Sequence, residues 1–457
     1  MRRIFPKKSI QEAMRIDIPI SDAMTEAIEL WGEMYENKSP WLDEKTHSLN
    51  LASAIASELA RLTTLELKSE ITGGQSEDGK VINNERAEFL NTQYQKVIHD
   101  IRREVEYAAA KGGLVFKPYI DGDNIAVDYV QADAFFPVRF DSAGNIIAII
   151  FTERIKEGKK VYTRLEYHDL RPEGYYIANT AYVNETGDET LGVQIPLTAV
   201  DAWANLQPEA LLTKVKKPLF AYLKMPMANT IDTKSPLGVS VYARATDLIE
   251  QADRQYSRIL WEYEGSELAL NVAADLFKVD GDLPEGKERL YRKLDTDAED
   301  FYQEWAPQIR DESLFNGLNK LLQRIEFACG LAYGTLSDVQ LVDKTAEEIR
   351  SSKQRSYSTV VDIQKNLENA LIQLIYAMDI WTTIGKLAPK GSYEVSFEFD
   401  DSLVVDAQTE QAILLQEVAA GLIKPEMYLM RRYGVTEEQA REMLPSMNEP
   451  DEFDEFE

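Results

Sequence analysis

The chain has 457 residues and a formal net charge of −28 at pH 7, with 50 basic residues against 78 acidic ones. That length is enough to bury a substantial core, and it excludes a small peptide-like binder. The acidity disfavours tight, sequence-specific DNA binding, which usually relies on a patch of Lys and Arg that displaces counterions from phosphates. Two interpretations of the acidity stay open: solubility alone, or a surface past which DNA moves without sticking.

Cysteine and histidine content limits the chemistry of the chain. It has one cysteine, Cys329, and three histidines, which excludes an internal disulfide and leaves too few ligands for a structural zinc site. Cys329 lies in an apolar helical stretch, so we expect a buried, inert thiol. No segment approaches the roughly 20 apolar residues that cross a bilayer, and the N-terminus lacks the apolar stretch of a signal peptide. We therefore expect a protein of the reducing cytoplasm that does not span a membrane.

The first hundred residues carry apolar side chains at helical spacing. The pattern predicts helices over 10–34, 49–67 and 85–110. Gly112-Gly113 should end the third helix, since glycine accepts the left-handed conformation that closes helices. The N-terminal part of the protein is therefore expected to be helical.

The pattern changes to strands between Leu114 and Val183. Apolar and polar residues alternate there, and β-branched and aromatic residues are enriched. Turn sequences recur at 121–124, 142–145, 156–159 and 171–174. Short strands joined by tight turns predict an antiparallel meander. The predicted fold class is therefore α+β and predominantly helical, rather than a doubly wound nucleotide-binding fold.

A second helical region is predicted after residue 235. Ser235-Pro236 is a favourable helix start, because proline at the first helical position loses no hydrogen bond, and we expect a helix over 239–270. Residues 273–309 are charged and interrupted by glycine and proline, which predicts a small separate unit. A further helix is expected over 312–328.

The run from Thr345 to Thr383 contains neither proline nor glycine and predicts one very long helix. Thr345 and Glu348 have capping-box spacing, and Gly385 can close the other end. At about 1.5 Å per residue this helix would exceed about 50 Å. We expect a loop before it and mostly helix after it. The predicted elements are a loop over 330–344, a strand over 393–399, helices over 407–420, 424–433 and 436–444, and an acidic solvated tail over 448–457.

Motifs for catalysis are missing or weak. Gly-Lys pairs occur at 79–80, 286–287 and 385–386. None of them combines the earlier glycine with the Ser or Thr after the lysine that a phosphate-binding loop needs. The three histidines are dispersed along the sequence, at His47, His99 and His168. Carboxylates that could bind the metals of a nuclease are better explained by turns and strand ends; they are Asp121, Asp123, Asp128, Asp400 and Asp401. We predict no catalytic, metal or cofactor site, and a protein that is not an enzyme.

Three local sequences stand in a recognisable order along the chain. They are 235–242 with the following helix that contains Asp247 and Asp253; 345–349 followed by 358–364; and 400–402 followed by 418–423 and 433–438. Together they resemble the portal proteins of long-tailed phages that infect Gram-positive bacteria. The resemblance covers nearly the whole chain, although no single motif is as specific as a metal-binding signature.

The resemblance implies a ring, typically of twelve copies, around a channel for DNA. It implies the portal fold, with wing, stem, clip and crown, an antiparallel β region in the wing and one very long helix after a tunnel loop. The implied segments are the wing (1–235), stem helix 1 (236–271), the clip (272–311), stem helix 2 (312–334), the tunnel loop (335–345), the long helix with a returning wing strand (346–405), and the crown with the acidic tail (406–457).

The same resemblance implies which residues would meet DNA. The candidate DNA-facing residues of the tunnel loop are Val339, Gln340, Leu341, Val342, Asp343 and Lys344. The candidate cations of the clip and channel are Lys287, Arg289, Arg292, Lys293, Lys320 and Arg324. For each cation an ion pair at the surface or between subunits is an open alternative, and the apolar loop residues could instead pack against a neighbouring subunit.

The implied role is a structural portal subunit at one capsid vertex, serving DNA packaging and ejection. The implied partners are the other ring subunits, double-stranded DNA bound without sequence specificity, the large subunit of the terminase, scaffold and major capsid proteins, and the neck adaptor, with no membrane. The location would be the virion, after assembly in the host cytoplasm. Two alternatives stay open: a metal-dependent DNA-processing enzyme of the phage head, and another ring component of the virion.

Overall fold

The protein combines α-helices with mostly antiparallel β-sheets, and its residues fall into two units, Met1–Glu398 and Phe399–Glu457. The computed structural model describes residues 7–65, 67–74, 84–185, 190–266, 269–273, 291–294, 302–305, 308–338, 346–399, 414–433 and 437–444. None of the helices described is long and apolar enough to cross a membrane.

The first unit contains seven α-helices and fourteen strands among its described residues. The helices are α1 Lys7–Met14, α2 Asp22–Tyr35, α3 Leu51–Thr64, α4 Glu85–Lys111, α5 Thr246–Gly265, α6 Asp311–Cys329 and α7 Ala346–Gly385. The strands are β1 Lys68–Thr72, β2 Gly113–Asp121, β3 Asn124–Gln131, β4 Phe135–Phe140, β5 Ile146–Glu157, β6 Lys160–Arg171, β7 Gly174–Asn184, β8 Val193–Ile195, β9 Glu209–Leu212, β10 Ala221–Lys224, β11 Ala269–Ala273, β12 Tyr291–Leu294, β13 Tyr302–Trp305 and β14 Glu394–Glu398.

The N-terminal helices agree with the sequence prediction except for one break. The segment predicted as a single helix over 10–34 is divided into α1 and α2. Pro19 lacks the amide hydrogen that a continuous helix needs, and Ser21 then starts α2 by accepting a hydrogen bond from Met24 N at 3.3 Å. The end of α4 is confirmed, since Gly112 has φ +88°.

The predicted antiparallel meander is confirmed, but it is divided between two sheets. β2 pairs with β3 and β10 in one sheet, and β4 to β8 follow one another in the second, with β9 beside β7. The sheets separate at the short connection between β3 and β4. There Asp133 forms an ion pair with Lys111 at the end of α4, with 2.6 Å between the Nζ and Oδ2 atoms. This pair fixes the connection against the helical layer.

A buried charge network lies between the two sheets. The Nζ atom of Lys117 on β2 is 2.8 Å from Glu166 Oε2 on β6, and Glu166 Oε1 is 2.8 Å from His168 Nε2. The other ring nitrogen of His168 bonds to the Tyr175 hydroxyl at 2.8 Å. Burial opposes the charged form of Glu166, but the Lys117 ammonium and the His168 hydrogen bond outweigh it and hold the pKa of Glu166 well below its usual value.

His168 should make the stability of this region depend on pH. Burial lowers the pKa of His168 below its usual 6.5, more than the contact with Glu166 raises it. The unfolded chain therefore takes up a proton near pH 6.5 that the folded chain does not, so the free energy of unfolding should fall as the pH drops below about 6.5. Thermal unfolding between about pH 8 and pH 5.5 measures this.

Two variants test that assignment. His168→Gln should be less stable than the parent at neutral pH and should have a flatter pH profile in this range. His47→Gln, at an exposed position, should keep the parent profile. A His168→Gln profile as steep as that of the parent would assign the pH dependence to other groups.

The helix predicted to start after Ser235-Pro236 is the clearest error in the sequence prediction. The α-helix begins at Thr246, and residues 238–241 cross the end of α4 instead. Val241 N donates to the Ala109 carbonyl at 3.0 Å, and a side chain on Gly238 would place its Cβ 2.1 Å from the Gly112 oxygen. This close crossing satisfies a carbonyl in the last turn of α4, and it requires a non-helical backbone.

α7 organises the remainder of the first unit. It has 40 residues, Ala346–Gly385, where the sequence predicted a helix over 345–383, and it packs on β2 and β10. Its buried stripe includes Val360, Ile363, Leu367, Leu371 and Leu374. Near its end, the buried guanidinium of Arg86 on α4 donates to Asp379 Oδ1 at 2.7 Å, which joins the two longest helices.

The strand predicted over 393–399 returns to the N-terminal helices. It is β14, and it pairs antiparallel with β1, with Lys68 opposite Glu398 and Thr72 opposite Glu394. In the second unit, residues 414–419 are helical, and the helices Pro425–Tyr433 and Glu437–Met443 pack together around the buried Ala440. The predicted helices over 407–420 and 436–444 begin at residues outside the described ones.

Candidate functional site

Helices α5 and α6 pack against each other beside the main sheets. Arg310, next to α6, forms a two-pronged ion pair with Glu262 on α5, at 3.1 Å from Nε to Oε1 and 2.8 Å from Nη2 to Oε2. Ile259 on α5 and Leu318 and Ile325 on α6 are buried. The two helices are therefore joined through their apolar faces and at one end by charge. Along the chain, the segment between α5 and α6 contains a three-stranded sheet in which β11 pairs parallel with β12 and antiparallel with β13.

Asp253 attaches α5 to the N-terminal region. This residue is buried, and its carboxylate accepts hydrogen bonds from Trp41 Nε1 at 2.9 Å and Leu49 N at 2.8 Å. Burial raises the pKa of Asp253, and the two hydrogen bonds oppose that rise. The direction of α5 is thus fixed by an acidic residue that the sequence pattern alone would assign to a solvated face.

A second buried acid, Glu326, organises the segment that follows α6. Its side chain is fully buried. Oε1 accepts hydrogen bonds from the backbone N–H groups of Gly334, Leu336 and Ser337 at 3.1, 2.6 and 2.8 Å, and Oε2 accepts from the Ser337 hydroxyl at 2.9 Å. One carboxylate therefore holds four donors of a segment that has no regular secondary structure.

Asn319, two turns earlier on α6, holds the end of the same segment. Its side-chain oxygen accepts from Asp338 N at 2.7 Å, and its amide nitrogen donates to the Asp338 carbonyl at 3.3 Å. The side chain thus pairs with a backbone unit much as a neighbouring strand would. We call residues 334–338 together with Asn319 and Glu326 the loop platform, because it leads directly into residues 339–344.

The N-terminal half of α7 contacts the end of α6 and the residues that lead into the loop platform. The hydroxyl of Ser352 accepts a hydrogen bond from Tyr333 N at 2.6 Å. A side chain on Gly330, which has φ +72°, would place its Cβ 2.4 Å from Thr359 Oγ1. The guanidinium of Arg355 lies 4.4 Å from the centre of the Phe327 ring. The end of α6 and the residues just before the platform therefore pack closely against α7.

The predicted tunnel-loop residues, Val339 to Lys344, lie outside the described residues, and so do Lys287 and Arg289. Arg292 and Lys293 belong to β12, opposite Asn271 and Val272, but their side chains also lie outside the description.

Lys320 and Arg324 are the candidate cations whose side chains the structure describes. Both are exposed on α6, and four residues of separation place them on one face of the helix. We call helices α5 and α6 together the helix hairpin. Among the described residues, neither cation forms an ion pair, within this hairpin or elsewhere. Both side chains are exposed, so their charges can contact a ligand or a neighbouring subunit.

The other sequence candidates for chemistry are separated or structural. His47 and His99 are exposed, and His168 belongs to the buried network of the sheets. Burial raises the pKa of Cys329, which is fully enclosed, as expected for an inert thiol. Within the described ranges, no group of three or more His, Cys, Asp or Glu residues is placed to hold a metal ion. Asp400 and Asp401 lie outside those ranges.

Sequence reasoning missed Glu326 and Asn319. Polar residues on a helix of mixed composition are usually solvated, so residue type alone does not mark these two. Their spacing of seven residues places them on the buried face with Leu318, Ile325 and Cys329, which is the one signal that could have identified them.

Comparison with known families decides the class of the protein. The family described as "Phage portal protein, SPP1 Gp6-like" matches residues 28–451, which is nearly the whole chain. The chain belongs to this phage portal family. No curated protein matches it.

The family is one of structural, non-enzymatic proteins, and this portal protein is therefore a structural component rather than an enzyme. Membership implies a ring assembly that works with a capsid and with DNA, and a place in the virion. The loop platform and the α5–α6 pair are accordingly features of a portal subunit, and a catalytic purpose for their buried acids is not needed.

Proposed function

We propose that this portal protein forms the ring at one vertex of a phage head, and that DNA passes through its channel during packaging and ejection. The loop platform is the observation that supports this role most directly. A buried carboxylate and an amide side chain hold residues 334–338 in a fixed position at the end of α6. A segment anchored so firmly at its base can present the next residues, 339–344, to DNA in every subunit of the ring.

The charge of the chain fits a channel through which DNA slides. With a net charge of −28, the protein repels phosphates overall, and a few separated cations give weak, local attraction. Lys320 and Arg324 form such a pair on α6. A continuous basic lining would hold the DNA in place, whereas separated contacts allow it to move.

Large apolar side chains exposed on the helix hairpin suit contacts between subunits. Trp261 and Tyr263 on α5 and Phe315 and Phe327 on α6 are exposed in the single chain. The rings of Tyr263 and Phe315 lie 6.5 Å apart between centres. Exposed apolar groups of this size, concentrated on one pair of helices, mark a protein interface.

Each segment of the chain is assigned the portal region that the family resemblance implies for its position. In this proposal α5 and α6 are the stem, the β11–β13 region is the clip, and residues 335–345 are the tunnel loop. The wing is built from residues 1–235 with the returning strand β14, and the crown from residues after 405. The ring, of about twelve copies by the family resemblance, would dock the terminase and later the neck adaptor, after assembly with scaffold and shell proteins in the host cytoplasm.

Removing the two α6 cations tests the DNA role. Lys320→Ala with Arg324→Ala should leave ring assembly intact and reduce the DNA packaged per head several-fold, because each subunit loses two phosphate contacts. Binding of duplex DNA by isolated rings should also become less sensitive to salt. The matched control is Lys156→Ala with Lys159→Ala, which removes two exposed lysines at the β5–β6 turn. Unchanged packaging by the α6 variant would remove these residues from the channel.

A further inference from the structure

A cavity of about 610 Å³ lies between α7, β10 and the turn that joins β4 to β5. It is notable in this acidic chain because lysine and amide residues form part of its lining. The lysine and amide residues of α7 and of the segment around β10 that line it are Lys216, Lys217, Lys224, Asn366, Asn369 and Gln373.

The walls of the cavity are held in place by hydrogen bonds from α7. Asn366 Nδ2 donates to the Lys224 carbonyl at 2.8 Å, and Gln373 Nε2 donates to the Pro218 carbonyl at 2.6 Å. The hydroxyl of Tyr376 accepts from Lys216 N at 3.3 Å. The chain that carries the lysines is therefore tied to the helix at three points, so the cations are presented from a fixed frame.

The contacts of the three cavity lysines are the next feature of the site, and the Lys217 Nζ atom lies 5.4 Å from the centre of the Tyr376 ring. Within the described part of the chain, none of Lys216, Lys217 and Lys224 is ion-paired. Asp141, which also lines the cavity, uses its carboxylate within its own turn, accepting from Asn145 N at 2.8 Å and Ala143 N at 2.9 Å. Lys224 is half-buried, and this burial lowers its pKa. Partial burial of an ammonium without a counter-charge is unfavourable, and a bound anion would relieve it.

We propose that this cavity binds a carboxylate-rich segment of a partner protein. Ile146, Leu170 and Phe220 give part of its lining an apolar character, which suits the hydrocarbon stems of acidic side chains whose carboxylates bind the lining lysines. Duplex DNA presents its phosphates on a broad convex surface, which is poorly matched to a concave site with a half-buried cation at its wall. The proposal is independent of DNA movement through the ring.

Fluorescence anisotropy of a labelled hexaglutamate peptide, titrated with the full-length protein at low salt, tests the proposal. The variant Lys216→Gln, Lys217→Gln, Lys224→Gln should bind the peptide at least about tenfold more weakly than the parent, since it lacks all three cations. The variant Lys156→Gln, Lys159→Gln, Lys390→Gln changes the net charge equally at exposed positions elsewhere and should stay within about twofold of the parent. Thermal unfolding checks that both variants fold.

The remaining outcomes would overturn the proposal. Equal weakening by the two triple variants would show a response to net charge rather than to the cavity. No measurable peptide binding by the parent would show that the site does not take carboxylates. A third outcome is displacement of the labelled peptide by inorganic phosphate or a short DNA duplex at concentrations too low for unlabelled hexaglutamate to displace it. That result would assign the site to phosphate instead.

Discussion

Glu326→Ala is expected to release residues 334–338 from α6. The substitution removes the acceptor for three backbone N–H groups and one hydroxyl, all of them in a buried or half-buried setting. Each buried donor left without a partner costs about 1–3 kcal/mol. Even with partial rehydration, we expect the platform to lose about 3 kcal/mol of local stability, which corresponds to a factor of about 100 in its opening equilibrium.

Amide hydrogen exchange measures this release at the affected residues. The amides of Leu336 and Ser337 should exchange about 100-fold faster in Glu326→Ala, while the amides of α4 should be unchanged. Glu326→Gln, which keeps one oxygen acceptor in the same place, should fall between the parent and the alanine variant. Glu312→Ala, an exposed change on the same helix, is the control. Unchanged protection of Ser337 in Glu326→Ala would show that the carboxylate does not hold the segment.

Release of the platform should also affect function. If residues 339–344 contact DNA, as proposed, Glu326→Ala rings should assemble but package little DNA. A packaging defect with normal rings would separate the role of the loop from the role of the ring.

Trp261→Ala is expected to disrupt ring assembly. Trp261 is 68% exposed in the isolated chain, an unusual state for the largest side chain, and it lies on the same hairpin as Phe315 and Tyr263. An aromatic anchor at a protein interface commonly contributes about 2 kcal/mol or more. In a closed ring every subunit makes the same contact with its neighbour, so one substitution weakens all of the interfaces together.

Sedimentation velocity of the parent and variant proteins at equal concentration measures the loss of rings. The parent should sediment mainly as rings, and Trp261→Ala as monomers and small fragments of rings. Val193→Ala is the matched control, because Val193 on β8 is 71% exposed yet lies outside the hairpin. Rings in undiminished amount from Trp261→Ala would place the subunit interface elsewhere.

The sequence predicts elements well where the local pattern and the tertiary environment demand the same conformation. The end of α4 at Gly112 and the turns of the meander follow from glycine at positive φ, which the residue type alone indicates. The buried state of Cys329 follows from its apolar neighbours. Each of these features depends on residues within a few positions along the chain.

Features that depend on distant partners could not be predicted. Residues 238–241 look like the first turn of a helix, yet Val241 N bonds to the Ala109 carbonyl at the end of α4 and the segment is not helical. Similarly, Glu326 looks like a solvated acid until the chain returns and places four donors around it. Asp253 receives its role from Trp41, more than 200 residues away. Residue type gives no sign of such contacts, and they are concentrated where the candidate site is built.

Electron microscopy of the purified full-length protein tests the central proposal most directly, with native mass spectrometry of the same sample to count the subunits. The proposal predicts closed rings of about a dozen 52.0 kDa subunits around an open channel, with α5 and α6 beside the channel and residues 339–344 pointing into it. A closed dimer, or a ring whose channel is lined by other parts of the chain, would contradict it.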